Sequence, residues 1–314
     1  MADDRRMQRA AKLRQLEGLS IEDGRYRLVK LVALGSAGAV FRSEQSGLRR
    51  PLAVKVVWTA NAVAQARFLR EVGALAAVTH PNLVMLLDRG QLSEHLAYAV
   101  MEWVDGRPLS RVVSEDGRLR PRHALAIVRQ VVAALGALHA HGIVHRDVKP
   151  ANVILGGDGG PDCPVKLVDL DVAHVPDGLK QPGAKTTVPG LVLGTPGFCP
   201  PEQSRGDDVD GRADLWAAGV LLRWLMTGSR DSEDDALLPP AVTTVVRFAT
   251  NDDRRRRPPT AAAMLQLLDS AAARLDAGLS KMAARASVRV VTPTHCPRLE
   301  VYRPPAGDEY DPRA

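Results

Sequence analysis

The apolar residues of this chain change their spacing once, near Asp105-Gly106, and that change limits what the chain can fold into. Before it, β-branched and apolar runs at 26–34, 39–43 and 52–58 are separated by Gly, Ser and Arg clusters, the pattern of an antiparallel meander. A helical period interrupts them at Val63, Phe68 or Leu69, Val72 and Leu75, and two further short strands fit 83–88 and 96–101. After Gly106 the texture is helical. Pro121 opens a segment whose Leu125, Val128, Val131 or Val132, Leu135 and Leu138 share one face, and Gly142 stops it. A helix at 213–227, closed by Gly228, is apolar nearly all round and is expected to be buried at the centre of the second half. Shorter helices are expected near 241–249 and 260–275, the second after Pro258 and Pro259.

The ends read differently. Residues 2–17 allow an Arg-rich helix with a thin stripe of Met7, Ala10 or Ala11, Leu13 and Leu16, but a frayed surface extension is the simpler reading. Beyond 287 the alternating VRVV and LEVY segments lie among prolines, as in an extended tail. The division expected is an extension at 1–24, a two-part domain at 25–275 that changes character after Val104, and a tail at 276–314.

Composition excludes several classes. Cys163, Cys199 and Cys296 are odd in number and lack metal-ligand spacing, so free thiols in a reducing compartment are expected, with no structural metal. No apolar run is expected to reach the roughly 18 residues of a membrane span, and the first residues lack the apolar core of a signal peptide. A cytoplasmic protein with no membrane partner follows as the expectation. The net charge of +6 is diluted by interspersed acids, and aromatic residues are only 4%, so no nucleic-acid platform is expected. The dense run Arg254 to Arg257, flanked by Asp252, Asp253 and two prolines, reads as an ion-paired or solvated corner.

Chemistry enters with His145-Arg146-Asp147-Val148-Lys149-Pro150-Ala151-Asn152, between the helix stop and the apolar VIL strand. The octapeptide resembles the catalytic loop of the protein-kinase family, in which the Asp accepts the proton of the attacking hydroxyl and the Asn holds magnesium. The resemblance assigns those roles to Asp147 and Asn152. Phosphoryl transfer asks a protein for charge and position more than for covalent chemistry. A carboxylate to orient the nucleophile, an oxygen ligand for a cation and an ammonium to offset charge are supplied by Asp147, Asn152 and Lys149. Alone, such a loop could be a plain turn.

Other landmarks follow in family order. Ala33-Leu34-Gly35-Ser36-Ala37-Gly38-Ala39-Val40 is similar to the phosphate-covering G-x-G-x-x-G-x-V loop, with Ala33 in place of the first glycine. Lys55, in LAVK, matches the lysine of the third strand, and Glu71, on the next helix, looks like the glutamate that pairs with it. Asp169-Leu170-Asp171 stands where the family has D-F-G, so Asp169 is the second metal ligand and Asp171 replaces a flexible glycine. The segments Gly194-Thr195-Pro196-Gly197-Phe198 and Pro200-Pro201-Glu202-Gln203 resemble the peptide-positioning stretch and its A-P-E end. Asp214 resembles the residue that braces the catalytic loop, and Arg257 the arginine that pairs with Glu202.

The resemblance covers about 25–275. It implies an α+β fold of two lobes: a five-stranded antiparallel sheet with one helix at 25–104, then a mainly helical lobe at 105–275, with ATP and Mg²⁺ or Mn²⁺ between them. The adenine would meet backbone groups of Glu102 and Val104, with Met101 behind it and Val40, Ala53 and Ile154 around the ring. Gly35 and Gly38 would lie over the phosphates. Lys149 and Thr195 point to serine and threonine acceptors on proteins, including a second copy of this chain through self-association, and the wording HRDVKPANV and PPEQ points to the bacterial branch. Two other readings stay open, a nucleotide-binding pseudokinase scaffold suggested by Ala33 and Asp171, and a small-molecule phosphotransferase of kinase-like fold. Arg146 beside Asp147 implies that the loop at 172–193 is a phosphorylation switch, with Thr187 the first site and Thr186 the next. The stretch 228–257 is too short for the loop and two helices usual there, so the docking helix is expected to be missing or reduced to a turn.

Overall fold

The computed structural model describes residues 2–35, 38–157, 160, 163–169 and 197–287. It opens with helix α1 (Ala2–Arg14) and strands β1 (Ser20–Ile21), β2 (Tyr26–Leu34), β3 (Gly38–Gln45) and β4 (Leu48–Trp58), followed by helix α2 (Ala62–Leu75), β5 (Leu86–Ser93) and β6 (Leu96–Glu102). The strands form one antiparallel sheet in the order β1-β2-β3-β4-β6-β5. Alternation along β4 decides its two faces: Leu52, Val54 and Val56 are buried in an apolar layer with Leu28, Phe41, Tyr98 and Val100, while Ala53, Lys55 and Val57 point the other way.

Two expectations change here. The sheet has six strands because Ser20 and Ile21 pair with Arg27 and Tyr26. The N-terminal segment is not a frayed extension: Leu13 is 2% exposed within the same apolar layer, and Arg9 and Lys12 stand 5.3 and 5.6 Å over the Trp58 ring. Burying one leucine supplies about 2 kcal/mol, and each cation over an indole adds about 0.5–1 kcal/mol. Together these hold down a helix whose stripe is otherwise thin. The strand expected from residue 83 starts later, at Leu86, because the preceding residues bond elsewhere. Leu167 N–H donates to Asn82 O at 2.8 Å, and Val84 N–H donates to Leu167 O at 3.0 Å.

Next come β7 (Arg107–Pro108), α3 (Leu109–Asp116), α4 (Pro121–Ala140), β8 (Val153–Leu155), β9 (Val165–Leu167), α5 (Pro201–Arg205), α6 (Arg212–Thr227), α7 (Pro240–Ala249) and α8 (Ala261–Ser287). The chain divides into two compact units, 1–275 and 276–314. Strands β7, β8 and β9 form a small antiparallel sheet that carries the loops of the cleft. Among the described residues α4 is the one helix long and apolar enough to cross a bilayer, with a mean hydropathy of 1.4, so the expectation of no such run is corrected. Its Ile127, Val128, Val131, Leu135 and Leu138 are fully buried in a core shared with α6 and α7. That burial accounts for the apolar composition without a bilayer. After Gly228, at φ 75° in the left-handed region, the chain makes only a 3-10 turn at Ser232–Leu237. No three-turn helix stands there. The turn is stapled inward by Asp235, whose carboxylate accepts from buried Arg223 Nε at 2.6 Å.

Candidate active site

Strand register assembles one wall of the cleft. Ala33 faces Val40, Val40 faces Lys55 and Arg42 faces Ala53, while Lys55 faces Ala99 and Ala53 faces Met101. Directly paired residues share a face. Ala33, Val40, Ala53, Lys55 and Met101 therefore line the sheet surface opposite its apolar layer. Gly38 must be glycine, since a Cβ would fall 2.2 Å from Val56 O. Gly35 N–H donates to Gly38 O at 2.8 Å; Ser36 and Ala37 lie outside the described residues. Pairing of β4 with β6 ends at Leu52 and Glu102, and Val104 follows beyond the ladder. Ile154 lies on β8, the middle strand of the small sheet.

The loop between α4 and β8 carries the acid chemistry. Arg146 sits at φ 67°, an uncommon backbone region for a residue with a side chain. Asp214, at the start of α6, holds it there: its carboxylate accepts from His145 N–H at 2.9 Å and Arg146 N–H at 2.8 Å and meets His139 Nε2 at 2.8 Å. From the other side Gln203 Nε2 donates to Arg146 O at 2.9 Å. Asp147 follows with its Oδ2 accepting from Lys149 Nζ at 2.6 Å and from Asn152 Nδ2 at 2.9 Å. Asn152 Nδ2 also donates to Asp147 O at 2.8 Å. Asparagine thus spends its N–H groups on Asp147 and presents its carbonyl oxygen.

Asp169 stands opposite, at φ 67° after β9, and its carboxylate accepts from Lys55 Nζ. Burial alone would raise the Asp169 carboxyl, but the Lys55 charge and hydrogen bond, with His145 and Lys149 nearby, hold it below its ordinary value. The expected Lys55–Glu71 ion pair is not formed. Glu71 Oε1 instead accepts from Arg67 Nε at 2.7 Å, one turn back on α2, and Lys55 meets Asp169. An i,i+4 partner on the same helix is within easy reach of a glutamate, whereas Lys55 stands on a strand of the sheet rather than on α2. Burial also lowers the Arg146 guanidinium, whose Nε has no partner among the described residues. Leu170, Asp171, Thr186, Thr187, Gly194, Thr195 and Pro196 lie outside the described residues.

Beside Lys149 a cleft of about 410 Å³ opens between Ser110, Phe198, Trp224, Arg230 and Asp231. Lys149, on its wall, is the residue that ties it to Asp147. After Phe198 the chain is anchored by a buried bidentate pair, Arg257 Nη1 and Nη2 donating to Glu202 at 2.6 and 2.8 Å, the partners named from sequence. Three residues at the site were not foreseen: Gln203 as a hydrogen-bond donor to the loop, Arg67 as the partner of Glu71, and Lys166, whose Nζ donates to Glu102 Oε1 at 2.6 Å. Only Lys166 left a sequence signal, a single cation inside the apolar VKLV run.

The donor set suits a hard divalent cation. A carboxylate at Asp169 and an amide oxygen at Asn152 are oxygen ligands of the kind Mg²⁺ takes when phosphates and water complete its shell. Among the described residues no cluster of three His, Cys, Asp or Glu forms a dedicated cage. Two oxygen ligands beside an oriented carboxylate and two ammonium groups can bind a polyphosphate and activate a hydroxyl.

Comparison with known proteins gives the same picture. The profile of the protein kinase domain matches residues 26–270. The chain is similar to serine/threonine-protein kinase pkn3 of Myxococcus xanthus, 36% identical over 215 residues, which cover 68% of this chain and 39% of that protein. It is similar to serine/threonine-protein kinase PknB of Mycolicibacterium smegmatis, 36% identical over 210 residues, with 65% and 32% covered. Serine/threonine-protein kinase PksC of Streptomyces coelicolor is 36% identical over 229 residues, with 70% and 40% covered. The chain spans less than half the length of each of these three relatives.

Proposed function

Since the chain belongs to the protein kinase family, we propose that it transfers the γ-phosphate of ATP to serine or threonine hydroxyls of proteins, a second copy of itself among them. The observation that carries this reading is Asp147: a carboxylate fixed by Lys149 and Asn152, on a loop strapped to Asp214, with Lys149 itself on the wall of a cleft of about 410 Å³. Asp147 is the group that receives the acceptor's proton as the new P–O bond forms and the bond to the β–γ bridging oxygen breaks. Lys149, held on Asp147, sets a positive charge beside the transferring group. Asn152 and Asp169 would hold Mg²⁺, which supplies charge neutralisation for the phosphates. Glu102 and Val104 present backbone groups to the adenine, and Ala53, Val40, Met101 and Ile154 give it apolar walls.

Arg146 supports regulation at the same site. A partly buried guanidinium whose Nε has no partner among the described residues fits a phosphate on Thr187, or next on Thr186, which would bring about −1.5 to −2 charges. A second reading, a nucleotide-binding scaffold of weak catalytic power, draws on Lys55 being paired with Asp169 rather than with Glu71. One experiment separates the two. Purified protein is incubated with Mg-ATP and a mixed Ser/Thr peptide library, and phosphate is mapped by mass spectrometry. Phosphoserine or phosphothreonine made at a rate above a no-enzyme control supports the kinase; nucleotide binding without transfer rejects it in favour of the scaffold.

A further inference from the structure

Lys166 lies on β9, three residues before Asp169, and its ammonium leaves its own strand to reach the end of β6. Its Nζ donates to Glu102 Oε1 at 2.6 Å and to Leu83 O at 3.3 Å. The same carboxylate oxygen accepts from Met85 N–H at 2.9 Å, and Glu102 N–H returns the bond to Met85 O at 3.0 Å. The segment between is fastened to β9 by Leu167 N–H on Asn82 O and Val84 N–H on Leu167 O. Three pieces of chain are thereby knotted behind the cleft: the end of β6 that leads to Val104, the Asn82–Met85 connection, and the strand that leads to Asp169. The side chains of Lys166 and Glu102 are only 23% and 18% exposed, so screening by solvent is weak.

Resting on the nucleotide site read above, we propose that Lys166 is a positioning residue for the nucleotide, clipping the adenine edge at Glu102 to the metal-holding end at Asp169. The distance between those two points must match the length of a nucleotide. No shared sheet sets it, because Glu102 ends β6 and Asp169 follows β9, strands of different sheets joined here by side chains and a parallel bridge, Leu83 to Leu167. Removing the Lys166 charge leaves Glu102 with Met85 N–H alone and a partly buried carboxylate without a cation, which rotates toward water and takes the chain before Val104 with it. The consequence is a looser adenine edge, not an unfolded protein.

The test is ADP affinity by calorimetry in Mg²⁺ buffer with the full chain. Lys166→Met, which keeps the stem, is expected to weaken ADP binding about tenfold, and Glu102→Gln, which keeps an acceptor but no charge, about threefold; tenfold corresponds to about 1.4 kcal/mol. Lys166→Arg restores the charge and is expected within about threefold of wild type. Melting without nucleotide separates this from a structural role: the clip predicts weaker ADP binding in Lys166→Met at temperatures where it is fully folded. Wild-type affinity in Lys166→Met and Glu102→Gln overturns the clip while leaving the nucleotide site standing. Should Lys166→Met not fold, Glu102→Gln decides alone. A wild-type protein that takes up no ADP overturns the nucleotide site and the clip together.

Discussion

Replacing Glu202 by glutamine should cost this protein a large part of its stability, and the structure sets the size of the loss. Arg257 is fully enclosed, with a side-chain exposure of 0%, and Glu202 is at 6%. The guanidinium uses both Nη atoms on the carboxylate, gives Nε to Asn251 O at 2.7 Å, and reaches Asp252 O and Arg212 O at 3.3 and 3.4 Å. It cannot find water if its counter-charge is removed. Breaking one partner of a buried ion pair costs about 3–5 kcal/mol because the other charge stays behind. Glutamine keeps one acceptor oxygen, so the lower end, about 3 kcal/mol, is expected. For a domain of this size that corresponds to a fall of about 6–12 °C in Tm, from a total stability of about 5–15 kcal/mol. Acid should reproduce the effect. Burial, the largest single influence, raises the Glu202 carboxyl, but the hydrogen bonds and charge of Arg257, a backbone hydrogen bond and the charge of Arg254 together outweigh it and hold the group below its ordinary value of 4.5. The pair's contribution is therefore complete above that ordinary value and is lost as pH falls through the lower, folded one. Urea titrations of wild type and Glu202→Gln across pH should show a gap near neutrality that closes in acid. A gap below about 1 kcal/mol near neutrality would refute the claim that a buried, uncompensated charge is what the substitution creates.

Leu13→Ala should destabilise the protein by about 2–3 kcal/mol in urea unfolding, since Leu13 is 2% exposed; a loss under 0.5 kcal/mol would restore the frayed-extension reading. Asp214→Asn replaces an acceptor of two backbone N–H groups by a group that must offer one of them a donor. Phosphotransfer is expected to fall about a hundredfold, because charged hydrogen bonds of about 1.5–3 kcal/mol each hold the loop, with unchanged initial rates as the contrary result. In Lys55→Met the Asp169 carboxyl, depressed in wild type by Lys55, should titrate higher, which carbon-13 carboxyl NMR would register; in wild type its stabilising share is present above the ordinary Asp value and lost below the folded one. An unmoved Asp169 resonance would deny Lys55 that role.

Much of this was readable because it depends on local order. The octapeptide 145–152 and the strand LAVK announce themselves by residue type and spacing, and the two-residue repeat of β4 alone places Ala53 and Lys55 on one face. The Glu202–Arg257 pair was readable only as a likeness, across 55 residues. What escaped depends on choices among competing partners. Glu71 could serve Lys55 or Arg67, and nothing in the chain says which cation stands nearer. Leu13 looked like one apolar residue on a charged helix, and its value came from the sheet face that Leu28, Phe41 and Val54 leave to be covered. Gln203 and Lys166 act on backbone and on a strand end brought near by the fold, and polar residues of that kind carry no period to detect.

The central claim, that Asp147 is the base of a protein kinase, is tested most directly by comparing single-turnover phosphotransfer from Mg-ATP in wild type and Asp147→Asn, with ADP affinity measured on both. The account predicts that the wild type makes phosphoserine or phosphothreonine, and that Asp147→Asn loses about 10²–10⁴-fold in rate, the share of a general base, while ADP affinity stays within about threefold. Equal rates in the two proteins, or a wild type that binds ADP and transfers nothing, would contradict it.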